Sequence, residues 1–443
     1  MELWDPHRLE RDVRQMLADK VIGNLVGIWL LVPEHLRLGT WDLLGGWTGA
    51  PADGLPRRLA MQLIHESALC LTGLREQRCL NHKGFELANG LPFVASDVPI
   101  HRLLNEHTVQ QAQSLQIALG RIRQTRGHFQ GRLLAVDPHR LPSYSKRHMR
   151  RRKPNPSAPS AKMAQTFFCL DADTCQPVCL LLSSPAQTAA TATLPLLEMA
   201  ADILNPPRPP LVLADCEHFT AELLQKIRQA GRFDLLVPMP RQPYFRRRLQ
   251  AIAPEQFTPR WAGYATAKVP YDLLEDGSPP LTMMVQRMGE KVGQLGWNAF
   301  VCTADRPEAA SLTQDFPKRW HIEEFFNAYQ AMGWQRAGTQ NLHIRYGRMS
   351  LALIAQAATC QLRQHLDETT AAWDAKHLAD NLLAGMEGDV RVCDETIVVT
   401  YYNAPQSDRL RGHYQRMPAR LEAEGIDPRI PWLYNLKLDF RFR

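Results

Sequence analysis

Long hydrophobic runs are missing from this sequence of 443 residues. The longest apolar stretch, residues 23–33 (GNLVGIWLLVP), is shorter than the ~20 residues that cross a bilayer, so we expect no membrane-spanning segment and no membrane partner. The amino-terminal residues MELWDPHRLERD are charged from the start and lack the pattern of a signal peptide. We therefore expect a soluble, cytoplasmic protein.

Signals for cysteine pairing are also missing. The nine cysteines are an odd number, and no two of them form a CxxC pair. The nearest pair, Cys175 and Cys179, has no His or Cys partners at zinc-finger spacing. This pattern indicates free thiols in a reducing compartment rather than a disulfide scaffold or a structural zinc site.

What is present is an ordinary globular composition with a basic excess. Hydrophobic residues make up 45% and charged residues 22%, which excludes a disordered, collagen-like or fibrous chain. The length predicts two to four domains. The net charge of +7 is compatible with binding to nucleic acid, but many ordinary proteins carry a similar excess.

The periodicity of the hydrophobic residues divides the chain into segments. Residues 9–125 have helical spacing, and within them Gly39–Leu44 followed by a helix is compatible with a helix-turn-helix, with a plain helical bundle as the alternative. From residue 131, strand-like runs alternate with helices, which predicts a mixed α/β sheet. Residues 241–305 contain alternating runs typical of a β-rich insertion, and a short strand is expected at residues 396–401 near the end of the chain.

Acidic residues end two of the predicted strands. Asp137 follows the run RLLAV, and Asp215 follows LVLA. If these strands are neighbours, the two carboxylates converge at one edge of the sheet, and their repulsion favours binding of a cation. Oxygen ligands select a hard cation such as Mg²⁺ or Mn²⁺, and Glu323 on a later helix is the candidate third ligand. Cys216 and Glu217 are interpreted as structural residues or as residues that support a ligand without binding the metal themselves. His139, His218 and His321 are left out because hard cations seldom take imidazole.

Basic residues are concentrated in two places. The predicted loop from Pro138 to Lys162 contains eight Lys or Arg residues and no Asp or Glu, and a triplet of arginines lies in the run PYFRRRLQ. A run of this kind is either a solvated, flexible loop or a site that contacts a nucleic-acid backbone, and the absence of any acid directly after a candidate metal ligand favours the second interpretation.

The sequence resembles the DDE transposases of bacterial insertion sequences, in the branch with a β-rich insertion before the third acidic residue. That branch carries Tyr-x2-Arg-x3-Glu-x6-Lys, and this chain reads Phe316-x2-Arg319-x3-Glu323-x6-Gln330 around the core WHIEEFF. The runs that end in Asp137 and Asp215 match the first two acidic positions, so the resemblance covers residues 131–366.

The match has two departures and one alternative register. Phe316 stands where the motif has tyrosine, and Gln330 stands where it has lysine; Lys318, Arg336 and Arg345 are nearby cations that could substitute. Glu324 is an alternative to Glu323 as the acidic ligand. The Arg-x3-Glu spacing, which places both side chains on one helix face, favours Glu323.

The resemblance implies a ribonuclease-H-like α/β fold interrupted by the insertion. It divides the chain into an N-terminal helical DNA-binding domain (1–128), two parts of a catalytic core (129–240 and 307–375), the insertion (241–306) and a C-terminal tail (376–443). It also implies a prokaryotic, nucleoid-associated enzyme that acts on double-stranded DNA, both the terminal inverted repeats of its element and the target, as a homodimer in the DNA complex.

The implied chemistry is cleavage and joining of DNA ends with two Mg²⁺ or Mn²⁺ ions held by Asp137, Asp215 and Glu323. Arg319 would clamp a phosphate, and Trp297, or alternatively Trp261, would stack on a flipped base, although packing within the insertion explains either tryptophan equally well. The expected DNA-binding residues are Arg319, Lys146, Arg147, Arg150, Arg151, Arg152, Lys153, Arg246, Arg247, Arg248 and Trp297. Two alternatives stay open: a nuclease on the same scaffold that does not join strands, and a domesticated DNA-binding protein without catalysis.

Overall fold

The computed structural model describes residues 5–23, 25–51, 54–71, 83–144, 146, 148, 151–152, 157, 159–183, 187–272, 280–291, 294–335 and 339–443. The chain forms two compact units, one of residues 1–123 with 327–443 and the other of residues 124–326. This division joins the two ends of the chain in one unit. The division into five segments that the sequence suggests remains a prediction.

The first part of the chain is mostly helical. Asp5 caps the first helix by accepting a hydrogen bond from the backbone N–H of His7, as expected of an N-cap aspartate. The helix ends at Ala18, so the helical pattern seen from residue 9 to residue 30 is interrupted by a short strand. The elements are α1 (Pro6–Ala18), β1 (Val21–Gly23), α2 (Leu31–Arg37), α3 (Thr40–Thr48), α4 (Leu55–Ala68), α5 (Lys83–Ala88), α6 (Asp97–Glu106) and α7 (Val109–Thr125).

The middle of the chain alternates strands and helices. Thr188 begins one of these helices with a capping box, and Thr220 caps the next. The strands are β2 (Leu133–Pro142), β3 (Arg151–Arg152), β4 (Ala161–Asp171), β5 (Gln176–Ser183), β6 (Leu211–Leu213), β7 (Asp234–Pro238), β8 (Thr258–Trp261), β9 (Tyr264–Tyr271), β10 (Leu281–Met288) and β11 (Gly296–Cys302). The helices are α8 (Ala189–Leu204), α9 (Ala221–Ala230), α10 (Pro243–Gln250), α11 (Glu308–Ala310) and α12 (His321–Tyr329).

The strands of the second unit form one mixed sheet. Its order among the described residues is β5-β4-β2-β6-β7-β11-β10-β9-β8, with β3 also paired to β4. β2, β6 and β7 are parallel to one another, and the other neighbours are antiparallel. Helix α8 packs on β4 and β5, and α9 packs on β7. The predicted ribonuclease-H-like α/β fold is confirmed.

The β-rich insertion extends this same sheet. β8 to β11 form an antiparallel meander, and the last of them pairs with the core strand β7 through Phe300–Cys302. The insertion is therefore hydrogen-bonded to the strand that precedes it in the core.

The last part of the chain begins with a helix that is buried over most of its length, α13 (Leu342–Arg363), capped by the side chain of Asn341. It packs against α2, α4 and α6. The remaining helices are α14 (Glu368–Ala371), α15 (Ala375–Leu378), α16 (Ser407–Tyr414) and α17 (Met417–Ala423). The strands β12 (Gly388–Cys393), β13 (Thr396–Tyr401) and β14 (Lys437–Phe442) join β1 in a second sheet of order β1-β12-β13-β14.

The position of α4 contradicts the helix-turn-helix interpretation. Every residue of this helix from Arg58 to Ala68 is buried, and the helix packs against α3, α6 and α13. A helix that reads bases must present an exposed face to the DNA groove. The helical-bundle alternative therefore fits the described residues of this region. None of the described helices is long and apolar enough to span a bilayer.

Candidate nucleic-acid cleavage site

Strand register brings the first two predicted acidic residues to matching positions. β2 and β6 run parallel, and their last paired residues are Ala135 and Leu213. Asp137 and Asp215 each lie two residues beyond that pair, in extended backbone. Because side chains on one face of a strand recur every second residue, both carboxylates leave the sheet on the same side as Ala135 and Leu213.

Asp137 does not end its strand, contrary to the sequence prediction. β2 continues to Pro142 because β4 pairs with it antiparallel along its whole second half, with Asp137 opposite Phe168. The predicted loop from Pro138 to Lys162 therefore begins and ends in strand. An apolar run shows where a strand is buried on both faces, but it does not show how far the backbone ladder continues.

Asp215 is held by local hydrogen bonds. Its Oδ1 accepts one from the backbone N–H of Glu217 at 3.0 Å and lies 2.8 Å from Nδ1 of the fully buried His218. Burial disfavours the ionised carboxyl, but these two bonds and the charge of Arg319 together lower the pKa of Asp215 below its usual value. Asp215 is thus kept as a carboxylate.

Glu323 lies beside Arg319, as the four-residue spacing predicts. The guanidinium of Arg319 donates to Oε1 of Glu323 at 2.9 Å, and the arginine is 9% exposed. Glu323 is half-buried, and its negative charge raises the pKa of Asp137. Glu324 is exposed, and its charge raises the pKa of Cys175 instead. Of the two neighbouring glutamates, Glu323 is therefore the one whose charge affects the pKa of Asp137.

Asp137 is the most perturbed acid of the group. Burial raises the pKa of Asp137 to about 8, and the negative charges of Asp215 and Glu323 add to this effect while Arg319 and Arg140 oppose it. The three predicted acids and Arg319 therefore share one electrostatic environment.

The donor chemistry of this group suits a hard cation, since all of its ligand atoms would be carboxylate oxygens. Among the described residues, however, no group of three His, Cys, Asp or Glu side chains is close enough to hold a metal ion. Glu323 is hydrogen-bonded to Arg319 rather than directed at a shared point with both aspartates. The residues therefore fit a hard cation in the type of their ligand atoms and in the matched positions of Asp137 and Asp215.

The basic segment after Asp137 is only partly described. Lys146 and Arg151 are exposed, and Arg152 lies in β3, where its backbone alone is described. Arg147, Arg150 and Lys153 lie outside the described residues. Arg140, another cation of this segment, is paired with Glu217 through Nη1–Oε1 and Nη2–Oε2 distances of 2.7 and 2.5 Å. The segment has no acid of its own, so Arg140 is paired with an acid from elsewhere in the chain.

The arginine triplet lies on α10. Arg246 and Arg247 are exposed and have no ion-pair partner among the described residues. Arg248 is half-buried, with its guanidinium 4.7 Å from the centre of the Tyr271 ring. Two of the three predicted DNA-binding arginines are therefore available to an anion.

Trp297 lines a cleft of about 690 Å³ in the same unit. Arg241 and Arg246 also line it, together with Phe245 and Phe316. Trp297 is half-buried and packs edge to face on Phe257 at 5.5 Å. Trp261, the alternative, is 58% exposed and stacks on Tyr264 at 4.1 Å. Both tryptophans therefore have packing partners, and Trp297 in addition faces a space large enough for a ligand.

The motif departures have distinct surroundings. Phe316 packs against Phe300 at 4.6 Å, which gives an apolar role to the position where the motif has tyrosine. Of the cations that could substitute for the motif lysine, Lys318 is bound to Asp173 at 2.6 Å and Arg345 is buried. Arg336 lies outside the described residues.

Two residues outside the predicted acidic group contact Asp215. His218 was left out, and Glu217 was given a structural or supporting role; both bond to Asp215, and Glu217 also binds Arg140. The spacing Asp-x2-His is the signal that could have identified His218, because a short turn after a strand returns the third residue to the first.

A mixed sheet that presents two carboxylates at matched positions, with an Arg–Glu pair beside them, fits the class of enzymes that act on nucleic acids. Comparison with known families agrees: the model described as the transposase DDE domain matches residues 128–357, more than half of the chain. The chain belongs to this family and is a DNA-cleaving, strand-transferring enzyme. DDE transposases generally use divalent metal ions such as Mg²⁺ or Mn²⁺.

Among solved structures, similarity is found to the cryo-EM structure of the piggyBac transposase synaptic complex with hairpin DNA. The identity is 12% and the TM-score 0.41, over 86% of this chain and 80% of that chain. No curated protein matches the sequence.

Proposed function

We propose that this protein is the transposase of a bacterial insertion sequence, which cuts the ends of its element and joins them to target DNA. Asp137, Asp215 and Glu323 would be its catalytic residues and would hold two Mg²⁺ or Mn²⁺ ions. The observation that carries the proposal is the matched register of Asp137 and Asp215, together with the effect of the Glu323 charge on the pKa of Asp137. A cytoplasmic, nucleoid-associated location follows from such a substrate.

Bound ions of this kind lower the pKa of an attacking water or 3′-hydroxyl and stabilise the leaving oxygen. The residues supply the surroundings. Arg319, buried beside Glu323, carries a planar guanidinium that can bind a phosphate oxygen through two N–H groups. Its positive charge also favours the ionised forms of Asp137 and Asp215.

Basic residues outside the acidic group would bind the DNA backbone. Arg246 and Arg247 on α10, and Lys146 and Arg151 after β2, are exposed cations suited to phosphate contacts. Arg248, Arg147, Arg150, Arg152 and Lys153 complete the proposed set. We also propose that two copies of the chain assemble on DNA, because an element has two ends and the described residues of each chain supply one such acidic group.

The test is cleavage of a labelled terminal repeat in the presence of Mg²⁺. We expect activity from the wild-type protein and its loss, by several orders of magnitude, in Asp137→Ala, Asp215→Ala and Glu323→Ala. Glu324→Ala is the matched control, because its side chain is exposed and acts on Cys175. Full activity of Glu323→Ala together with loss in Glu324→Ala would reverse the assignment.

The same assay separates the alternative functions. Strand-transfer products identify a transposase, whereas cleavage without joining identifies a nuclease on the same scaffold. DNA binding without either product would leave the domesticated DNA-binding protein.

A further inference from the structure

Asp215 lies two residues beyond the last residue of β6 that pairs with β2. β6 ends at Leu213, and the next ladder bond, from the N–H of Ala214 to Leu236, is long at 3.3 Å. Asp215 itself is followed by a three-residue turn of 3₁₀ helix, Cys216–His218. The ladder sets the face of the sheet that the Asp215 side chain leaves from, but it does not hold the carboxylate group in one orientation.

His218 fixes the carboxylate from inside the protein. Its side chain is fully buried, and its Nδ1 lies 2.8 Å from Oδ1 of Asp215. Its Nε2 has no hydrogen-bond partner among the described residues. A buried N–H without an acceptor is costly, so we place a ring N–H on Nδ1, where Asp215 accepts it. Since the N–H of Glu217 uses the same Oδ1, the other oxygen, Oδ2, is left for a cation.

Arg140 and Glu217 fix the same turn from outside. Arg140 lies on β2, three residues after Asp137, and Glu217 lies two residues after Asp215. Their two parallel N–H···O contacts form a fork that resists rotation better than a single ion pair does. Nε of Arg140 also lies 3.4 Å from Oε1 of Gln165 on β4. The fork thus bridges β2 to the Asp215 turn at the level where the two strands no longer pair.

We infer that Arg140, Glu217 and His218 are positioning residues that orient the Asp215 carboxylate toward Asp137 for cation binding. None of them would touch the metal or the DNA phosphate that is cut. The inference deepens the proposed function and rests on it. It also gives Arg140 a role other than contact with the DNA backbone.

The test measures Mn²⁺ binding to the metal-free protein by electron paramagnetic resonance, with DNA cleavage as a second readout. His218→Leu removes the donor, and we expect about 10-fold weaker Mn²⁺ binding with cleavage requiring correspondingly more metal. His218→Asn places an amide N–H near the position of Nδ1, and we expect it to restore most of the binding. A purely structural role predicts no such rescue. Wild-type affinity in His218→Leu would overturn the inference.

A second set of variants applies if His218→Leu does not fold. Arg140→Glu places two carboxylates together, and we expect weaker Mn²⁺ binding that the swapped variant Arg140→Glu/Glu217→Arg restores. The matched control reverses the exposed pair Lys226 and Glu222 on α9, which are 2.7 Å apart and bond to each other rather than to the acidic group. Wild-type affinity in Arg140→Glu would overturn the inference.

Failure of the proposed function has a different signature. A wild-type protein that neither binds Mn²⁺ nor cleaves DNA would contradict the proposed function and this inference together. A wild-type protein that does both, with activity lost in Asp215→Ala but metal affinity unchanged in His218→Leu and Arg140→Glu, would contradict this inference alone.

Discussion

Trp297 combines a packing contact with access to a cleft. Its ring contacts Phe257, and it shares the cleft wall with Arg241, Arg246 and Phe316. A base that leaves the helical stack needs an aromatic face and a nearby cation for its phosphate. We therefore expect Trp297, rather than the exposed Trp261, to hold a flipped base near the cleavage point.

Permanganate oxidation of a thymine placed at the end of the element measures base flipping. We expect the thymine to become reactive in the wild-type complex and to lose that reactivity with Trp297→Ala, while Trp297→Phe retains most of it. Trp261→Ala is the control, since this ring stacks on Tyr264 instead. Equal reactivity in Trp297→Ala and wild type would show that Trp297 serves only to pack the sheet.

His65 predicts a pH dependence of stability. It is fully buried with Nδ1 2.7 Å from Oδ1 of Asn89, and burial lowers the pKa of His65 to about 4, although the Asn89 contact opposes the shift. The unfolded chain takes up a proton near pH 6.5, so the folded state loses stability as the pH falls from about 6.5 to about 4. The slope is about 1.4 kcal/mol per pH unit for one proton.

Urea unfolding between pH 7.5 and pH 4.5 tests this dependence. We expect His65→Gln to have a smaller slope than the wild type in the acidic half of this range. His101→Gln, at an exposed position on α6, is the control and should keep the wild-type slope. A slope in His65→Gln as steep as that of the wild type would assign the acid sensitivity to other groups.

At the scale of single residues, sequence spacing predicted a contact between near neighbours but not a contact between residues far apart in the sequence. The contact between Arg319 and Glu323 follows from four residues of spacing, and its prediction is confirmed. The pairing of Arg140 with Glu217 spans 77 residues, so only the sheet that brings β2 next to the Asp215 turn reveals it. The functional roles of Asp137, Asp215 and Glu323 remain predictions.

Helix α10 presents two exposed arginines in the described part of the insertion. Arg246 and Arg247 each present a charge without an ion-pair partner among the described residues. If both contact phosphates, replacing both with Gln should lower DNA affinity and reduce the slope of log K against log salt by about 2. Fluorescence anisotropy of a labelled terminal repeat across a salt series measures this slope.

Lys226→Gln is the matched control for the arginine variant. Lys226 lies on the exposed face of α9, where Glu222 already neutralises it. We expect its salt slope to equal that of the wild type. An unchanged slope in the double arginine variant would exclude α10 from the DNA interface.

Elements with a clear period were predicted well, and those defined by distant partners were not. The strand expected at residues 396–401 is β13, with the same bounds. β14 was not predicted, although Leu438, Phe440 and Phe442 alternate in the way that a half-buried strand does. β2 extends past Asp137 because β4 continues beside it, and no local pattern could supply that partner.

At the scale of the whole molecule, the basic residues behind the net charge of +7 are not all available to bind DNA. Some of the basic residues are neutralised by folding, as Arg140 is by Glu217 and Lys318 by Asp173. Others, such as Arg246 and Arg247, remain exposed. The location of the unpaired charges is therefore more informative about DNA binding than their sum.

The proposed assembly is also a property of the whole molecule. Because an element has two ends and the part of each chain that the structure describes supplies one acidic group, we expect two chains in a complex with paired terminal repeats. Light scattering of the complex formed on uncut repeats with Ca²⁺ measures its mass. One chain per pair of ends would contradict the homodimer, and the mass of the protein without DNA is the control.

One row of residues crosses four strands of the large sheet. Ala135 pairs with Leu213, Leu213 with Leu236, and Leu236 with Cys302 at the end of β11, the strand that also carries Trp297. This row of paired residues sets the distance between the aspartates and the cleft. Deletion of one residue within β11 would turn Trp297 to the opposite face. During evolution, insertions and deletions can therefore accumulate in loops outside this row, whereas the strands that form it must keep their length.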